Sequence, residues 1–228
     1  MDDDVLRKLE EEERAHPVSR VEFHAQLDEL DGRLVEIAQR VAEEIVQVTT
    51  AFLQADHYAA DQRIKAASAI QRACVELEET GFVILARQSP VAGDLRRVIA
   101  VLRCARDVQR SGNLIGHIAS SLTWVHPPSM PSSFRQVIGQ LGTVSAEIFA
   151  SAVNAWRTHD ALAAPELETQ DDQVDLLQKV LLTELYTGQQ SVEESVSLAL
   201  LGRYYERLGD HGVELARQVA YFVTGDRA

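Results

Sequence analysis

Tyr-Tyr-Glu-Arg-Leu-Gly-Asp-His-Gly-Val-Glu-Leu-Ala, residues 204–216, sets Tyr204, Leu208 and Leu215 on one stripe of a helix and continues it to Val219. Glu206 and Asp210 stand four residues apart, so both carboxylates leave the same side of that helix. Asp-Val-Gln-Arg-Ser-Gly-Asn-Leu-Ile-Gly-His-Ile-Ala, residues 107–119, has nearly the same form, with Gln109 and Asn113 in place of the two acids. A helical motif has been used twice, and its charges kept once. Glycines at 202 and 209 each cost a helix about 1 kcal/mol against alanine, which points to close approach of another helix.

The rest of the chain follows the same period. Phe23, Leu27, Leu30, Leu34, Ile37, Val41, Ile45, Val48 and Phe52 step by three and four, the apolar face of a long amphipathic helix. A second helix is expected after Asp56, through Ile64, Ile70, Leu77 and Leu85, to a break at Ser89-Pro90. A third runs from about Pro90 to Trp124. His126-Pro-Pro-Ser-Met-Pro131 reads as the linker, with Ser132 and Ser133 as candidate caps for a fourth helix carrying Phe134, Ile138, Leu141, Ile148 and Trp156. A fifth is expected from about Ala161 or Pro165 to Thr187, and a sixth from about Gln189 to Val223. The β-branched residues fall on helical spacings rather than in alternation, so the fold class is all-α.

The second half repeats the first. Ala55-Asp-His-Tyr-Ala-Ala60 matches His159-Asp-Ala-Leu-Ala-Ala164 at an offset of 104, and the Gln-Arg-Ser-Gly-Asn and Glu-Arg-Leu-Gly-Asp segments match at 97. The seven-residue difference places a deletion near the Ala86–Pro90 turn in the second copy. The organisation expected is an acidic N-terminal tail at 1–18, a first three-helix bundle at 19–126, a linker at 127–132 and a second three-helix bundle at 133–228.

Asp171 and Asp175 form another i, i+4 pair, beside Val174, Leu177 and Leu181 on the fifth helix. On facing helices of a bundle, Asp171, Asp175, Glu206 and Asp210 would gather four anions at one seam. Such a cluster is tolerable when a cation sits among it. The plainer reading is surface charge paired with Arg203, Arg207 or Lys179. The offsets carry the four acids back to Ala67, Gln71, Gln109 and Asn113, so the first bundle has lost the charges a hard cation needs.

The net charge is −13 and the pI about 4.9, which argues against a nonspecific nucleic-acid binder. The acidic N-terminus does not read as a signal peptide, and no apolar run approaches a membrane span, so a cytoplasmic protein without membrane insertion is expected. Cys74 and Cys104, the two cysteines, fall at apolar helical positions and read as buried hydrophobes.

Leu85-Ala-Arg-Gln-Ser-Pro-Val-Ala-Gly-Asp-Leu-Arg96 and Glu206-Arg-Leu-Gly-Asp-His211, together with the duplicated three-helix pattern, resemble the PhoU family over about residues 21 to 225. That resemblance implies two similar three-helix bundles. It implies a Glu/Asp-x-x-x-Asp motif, matched at Asp171/Asp175 and Glu206/Asp210, that holds iron, zinc, manganese, magnesium or another divalent or ferric ion. It implies no catalysis. The partners implied are the ATPase of the phosphate ABC transporter and a phosphate-sensing histidine kinase, through which the phosphate-starvation response is restrained. A homodimer is expected because long bundles with apolar seams pair.

Two other readings are open. An enzyme would use a carboxylate-bridged metal centre, yet neither motif contains Glu-x-x-His, and no phosphate loop or Cys-His nucleophile is found. A metal-independent helical adaptor for another transporter or signalling pair would explain the neutral first bundle. Arg96, Arg103, Arg106 and Arg110 share a face of the third helix, as a solvated strip or a docking surface for an acidic partner. Trp124 and Trp156 read as core or hinge residues; His57, His117 and His159 read as core or surface residues. His211 is the histidine placed to assist a metal.

Overall fold

The structure is a computed structural model, and it describes residues 20–188 and 190–226. The expected N-terminal tail therefore lies outside the described residues. Among the described residues six α-helices follow in order: α1 Arg20–Leu53, α2 His57–Gln88, α3 Ala92–Ser120, α4 Ser132–Thr158, α5 Ala164–Thr187 and α6 Val192–Thr224. Short 3-10 turns at Ser121–Thr123 and Pro127–Ser129 join α3 to α4. No strand occurs among the described residues.

The periodic residues are the core. Leu27, Leu30, Leu34, Val41, Ile45, Val48 and Phe52 of α1 are all buried, the outcome for one apolar stripe on a helix about 50 Å long. The helix ends are locally encoded. Asp56 accepts a hydrogen bond from the Ala59 amide at the start of α2. Ser191 and Glu194 form a reciprocal capping box at the start of α6, which closes on the left-handed Gly225. Ser132 and Ser133 do not cap α4: Pro131 holds the cap position without a side-chain bond. There the fixed φ of proline sets the entry instead.

The duplication is visible in the backbone. Ala55, between α1 and α2, has φ 53°, and its counterpart His159, between α4 and α5, has φ 54°. Both non-glycine residues take the sparsely occupied left-handed region at the same turn. α5 ends at Thr187, the counterpart of Val83, whereas α2 continues to Gln88. The shortening is thus at the second turn, where the offsets put it.

Helices α1, α2 and α3 pack on one another, as do α4, α5 and α6. The two bundles then lie side by side, α1 against α4 and α3 against α6. Thr49 of α1 donates to Ile45 O at 2.7 Å, so its oxygen accepts from the Tyr205 hydroxyl of α6 at 2.8 Å. Tyr205 is fully buried there. Gly142 of α4 faces Thr49 with no room for a Cβ, 2.8 Å from the threonine Cβ. Across the other seam, Tyr204 stacks on His117 at 5.4 Å and Arg103 lies 5.1 Å over the Tyr221 ring. Trp156 is buried as expected, but Trp124 is 66% exposed: it follows the last turn of α3, beyond the reach of the core.

Candidate metal centre

α5 and α6 bring the four sequence-selected acids together. Asp171 and Asp175 face α6, and Glu206 and Asp210 face α5. Asp171 sits where a side chain at position 209 would have to go: a Cβ built on Gly209 would collide with its Oδ1. The glycine is the close-approach position that the sequence called for, and what approaches is a carboxylate. In the first bundle the counterpart Gly112 meets Ile70 at 3.0 Å and the Ala67 carbonyl at 3.5 Å, and Gln71 hydrogen-bonds Asn113. The same helix faces meet in both halves, with amides closing the gap in one and charges left in the other.

Asp171 Oδ1 and Glu206 Oε2 are buried and make no hydrogen bond. Burial, then the neighbouring charges of Asp210, Asp175 and Glu206, push the Asp171 carboxyl up to about 7. Burial, then Asp210, raises Glu206, while the Arg203 guanidinium opposes the shift. Arg203 pairs with Glu206 Oε1 one helical turn away, so a basic residue does answer one acid. Among the described residues no three His, Cys, Asp or Glu side chains stand together as a finished cage. Like charges spread from one another, and a ligand set would have to draw in. The residues nonetheless fit a hard cation: the donors are carboxylate oxygens, two of them buried without a partner.

Three further charged residues border this face. Glu168, Asp171, Asp172, Asp210, Val213 and Arg217 line a cleft of about 260 Å³. Arg217 Nη2 donates to Glu168 Oε1 at 2.7 Å, closing one end with its own ion pair. Glu168 and Asp172 are themselves an i, i+4 pair, a spacing present in the sequence. His211 is not turned to the acids. Its Nδ1 lies 3.3 Å from Asp107 Oδ1 on α3, because one residue beyond Asp210 is about 100° round the helix. It belongs to the seam between the bundles. In the first bundle, Glu44 and Arg63 make a half-buried pair at 3.1 Å, so that half carries its own counter-charge.

The family-model scan matches the PhoU domain at residues 34–122 and 138–219. The chain belongs to the PhoU family. A curated relative, "Phosphate-specific transport system accessory protein PhoU homolog 2" of Mycobacterium tuberculosis, is 35% identical over 209 residues, 90% of this chain and 98% of its own. Among solved PhoU structures, that from Pseudomonas aeruginosa superposes with a TM-score of 0.83 at 24% identity, covering 90% of this chain and 100% of its own. That from Streptococcus pneumoniae gives 0.81 at 23%, covering 90% and 99%. Within this chain, Ala67, Gln71, Gln109 and Asn113 stand at the first-bundle positions that correspond to Asp171, Asp175, Glu206 and Asp210 in the second.

The cluster fixes a pH dependence. An unfolded Asp171 titrates near its ordinary value of 3.8, and the folded one at about 7. Between those values the folded state holds a proton that the unfolded state has released, so the metal-free chain loses stability as pH rises through that window. Asp171→Asn should flatten the slope. At pH 8 it should stabilise the metal-free chain by about 1–2 kcal/mol, discounted for the half-exposed setting. Urea unfolding in chelator at pH 5 and pH 8 reads both; equal slopes in parent and variant would contradict it.

Proposed function

We propose that Asp171, Asp175, Glu206 and Asp210 bind a divalent or ferric cation, and that the chain is a non-enzymatic, cytoplasmic adaptor between the ATPase of the phosphate ABC transporter and a phosphate-sensing histidine kinase. The observation that carries the metal half is Asp171 Oδ1, buried without a hydrogen bond on Gly209 and facing three more carboxylates. The names of the PhoU relatives carry the phosphate-transport half. No helix among the described residues is long and apolar enough to cross a membrane, so contact with the transporter is by docking.

Each residue has a role in this reading. Asp171 is held at the seam by Gly209, and Asp175 and Asp210 close the face from opposite helices. Glu206, now paired with Arg203, would hold the ion in place of that guanidinium. When bound, the cation supplies the positive charge that lets four carboxylates share one face. An all-oxygen donor set favours manganese, magnesium or ferric iron over zinc. The surface so ordered is the one presented to partners, and the response it restrains is that to phosphate starvation. Pairing of two copies belongs to the same proposal: Trp124, Val192, Val196 and Leu200, all exposed, line a groove of about 450 Å³ between α3 and α6.

A metal-independent adaptor is the second reading, favoured by the Arg203–Glu206 pair, which already answers one acid. Elemental mass spectrometry separates the two. Tag-free protein should carry metal, and Glu206→Gln/Asp210→Asn, which makes the second bundle imitate the first, should carry none. No metal in either after incubation with iron, zinc, manganese and magnesium would leave the second reading. In cells, loss of the gene should derepress a phosphate-starvation reporter in high phosphate; unchanged output would remove the regulatory role.

A further inference from the structure

α3 and α6 run antiparallel along the seam between the bundles: Arg96 lies against Gly225, Arg103 against Tyr221, Asp107 against His211 and His117 against Tyr204. The offset of 97 relates the two ends of this seam. Arg96, Arg103, Gln218 and Tyr221 at one end correspond to Glu193, Leu200, Ser121 and Trp124 at the other. At the first end the chain closes its own groove. Arg103 reaches Gln218 at 3.4 Å and lies 5.1 Å over the Tyr221 ring. At the second end Leu200 and Ser121 are too short to repeat that contact, and Glu193 stands in place of Arg96. A groove of about 450 Å³ is left open there, with Trp124 66% exposed on its wall. Compared with its own duplicate, the open end lacks an arginine over its aromatic ring.

The same face carries arginines. Arg103, Arg110, His117 and Trp124 follow at seven-residue steps, so they share one side of α3 and of the turn that continues it. All four are exposed. Arg110 stands 3.9 Å from Asp107, at the limit of an ion pair. Its counterpart on α6, Arg207, is exposed and enters no ion pair among the described residues. Arg110 and Trp124 lie on opposite sides of His117, each about 10 Å from it along the helix axis. Arg110 is therefore about 20 Å from the Trp124 of its own chain, beyond the reach of its side chain. A cation and its ring set at equal distances from a midpoint are self-complementary about a twofold axis. Two α3 helices laid antiparallel, with His117 at the axis, set each Arg110 on the other's Trp124. On α6, Arg207 and Leu200 flank Tyr204 in the same way.

We propose that the open groove takes a second copy of this chain, whose Arg110 covers Trp124 as Arg103 covers Tyr221. This rests on the pairing of two copies in the proposed function, and adds its face, its symmetry and the side chain that fills the groove. Charge favours this occupant. The groove is lined by Glu193 and by no arginine or lysine, whereas Arg106, Arg110 and Arg207 are exposed on the rest of the face, so two copies meet with unlike ends together. Val192, Val196 and Leu200, exposed at steps of four along α6, leave water in the same contact. Each copy gives its arginines and receives the other's, so the arrangement closes at two chains.

Sedimentation of the full chain tests this. The parent should be a dimer. Leu200→Arg, which gives the open end the arginine of the closed one, should be a folded monomer, because the groove is then filled from within. Arg110→Glu and Trp124→Arg should each raise the dimer dissociation constant at least about tenfold, since each removes both copies of the contact. Joined in one chain, Arg110→Glu/Trp124→Arg should restore the dimer, with unlike charges again facing each other across the axis. All three positions are exposed, so helical circular dichroism should be unchanged in every variant. A dimer that none of the single changes weakens would overturn the proposal and move pairing to another face. A double variant that stays dissociated would overturn the contact between Arg110 and Trp124. A monomeric parent would overturn the proposal together with the pairing, and leave the groove to an arginine-bearing segment of another protein.

Discussion

Saturating manganese or ferric iron should raise the melting temperature of this chain by about 5–10 °C, and should leave Glu206→Gln/Asp210→Asn unchanged. An ion that binds only the folded state adds about 2.7 kcal/mol at a hundred times its dissociation constant, and a chain of this size gains about 2–4 °C per kcal/mol. On the proposed reading the folded state would select the ion, because the α5–α6 contact sets Asp171 against Gly209, with Glu206 and Asp210 on the opposite helix. In the unfolded chain the two acid pairs are separated by the whole α5–α6 turn. The same variant should melt higher than the parent when both are metal-free at pH 8, because two of the repelling charges are gone. Scanning fluorimetry with chelator and with metal reads both differences. An equal metal-induced gain in the variant would move the ion to another site, the Glu168–Asp172 cleft being the next place to look.

Gly142→Ala should lower the melting temperature by about 5–10 °C, a loss of about 2–3 kcal/mol. The same substitution at Gly32 should raise it slightly. An exposed helical glycine is about 1 kcal/mol worse than alanine, and a Cβ at Gly32 meets nothing within 4 Å. At Gly142 the new carbon stands 2.8 Å from Thr49 Cβ, an atom that cannot swing aside. Thr49 is also pinned by its bonds to Ile45 O and the Tyr205 hydroxyl. Relief requires α1 and α4 to part, and parting them breaks the buried pair with α6. Opposite signs at the two glycines would establish that the bundles are packed tightly side by side. A stabilising Gly142→Ala would show that the α1–α4 seam is loose.

The first prediction begins from acid pairs legible in the sequence; the second begins from the packing of α1 against α4 alone. The spacing of Leu27 to Phe52 made α1 readable, because burial on one side of a helix enforces a 3.6-residue period whatever lies opposite. The two offsets made the repeat readable, and with it the loss of acids at Ala67, Gln71, Gln109 and Asn113. Asp171, Asp175, Glu206 and Asp210 were readable as pairs, since i and i+4 share a face by helix geometry alone. The meeting of those pairs was inferred from bundle logic, and the structure supplied the contact that makes it specific: Asp171 on Gly209.

What the sequence could not convey depends on how one helix is rotated against another. His211 directly follows Asp210, and only the α3–α6 seam sends it to Asp107 rather than to the acids. Arg203 was a candidate partner for several carboxylates, and the structure pairs it with Glu206, one turn along the same helix. Trp124 carries the hydrophobicity of a core residue but sits in the turn after α3, where no helix covers it. By itself the sequence determined six amphipathic helices, their duplication and one charged half, because these follow from local period and residue chemistry. The tertiary structure alone decided that the bundles lie side by side and which carboxylates lose water, because desolvation and close approach are properties of helices in contact.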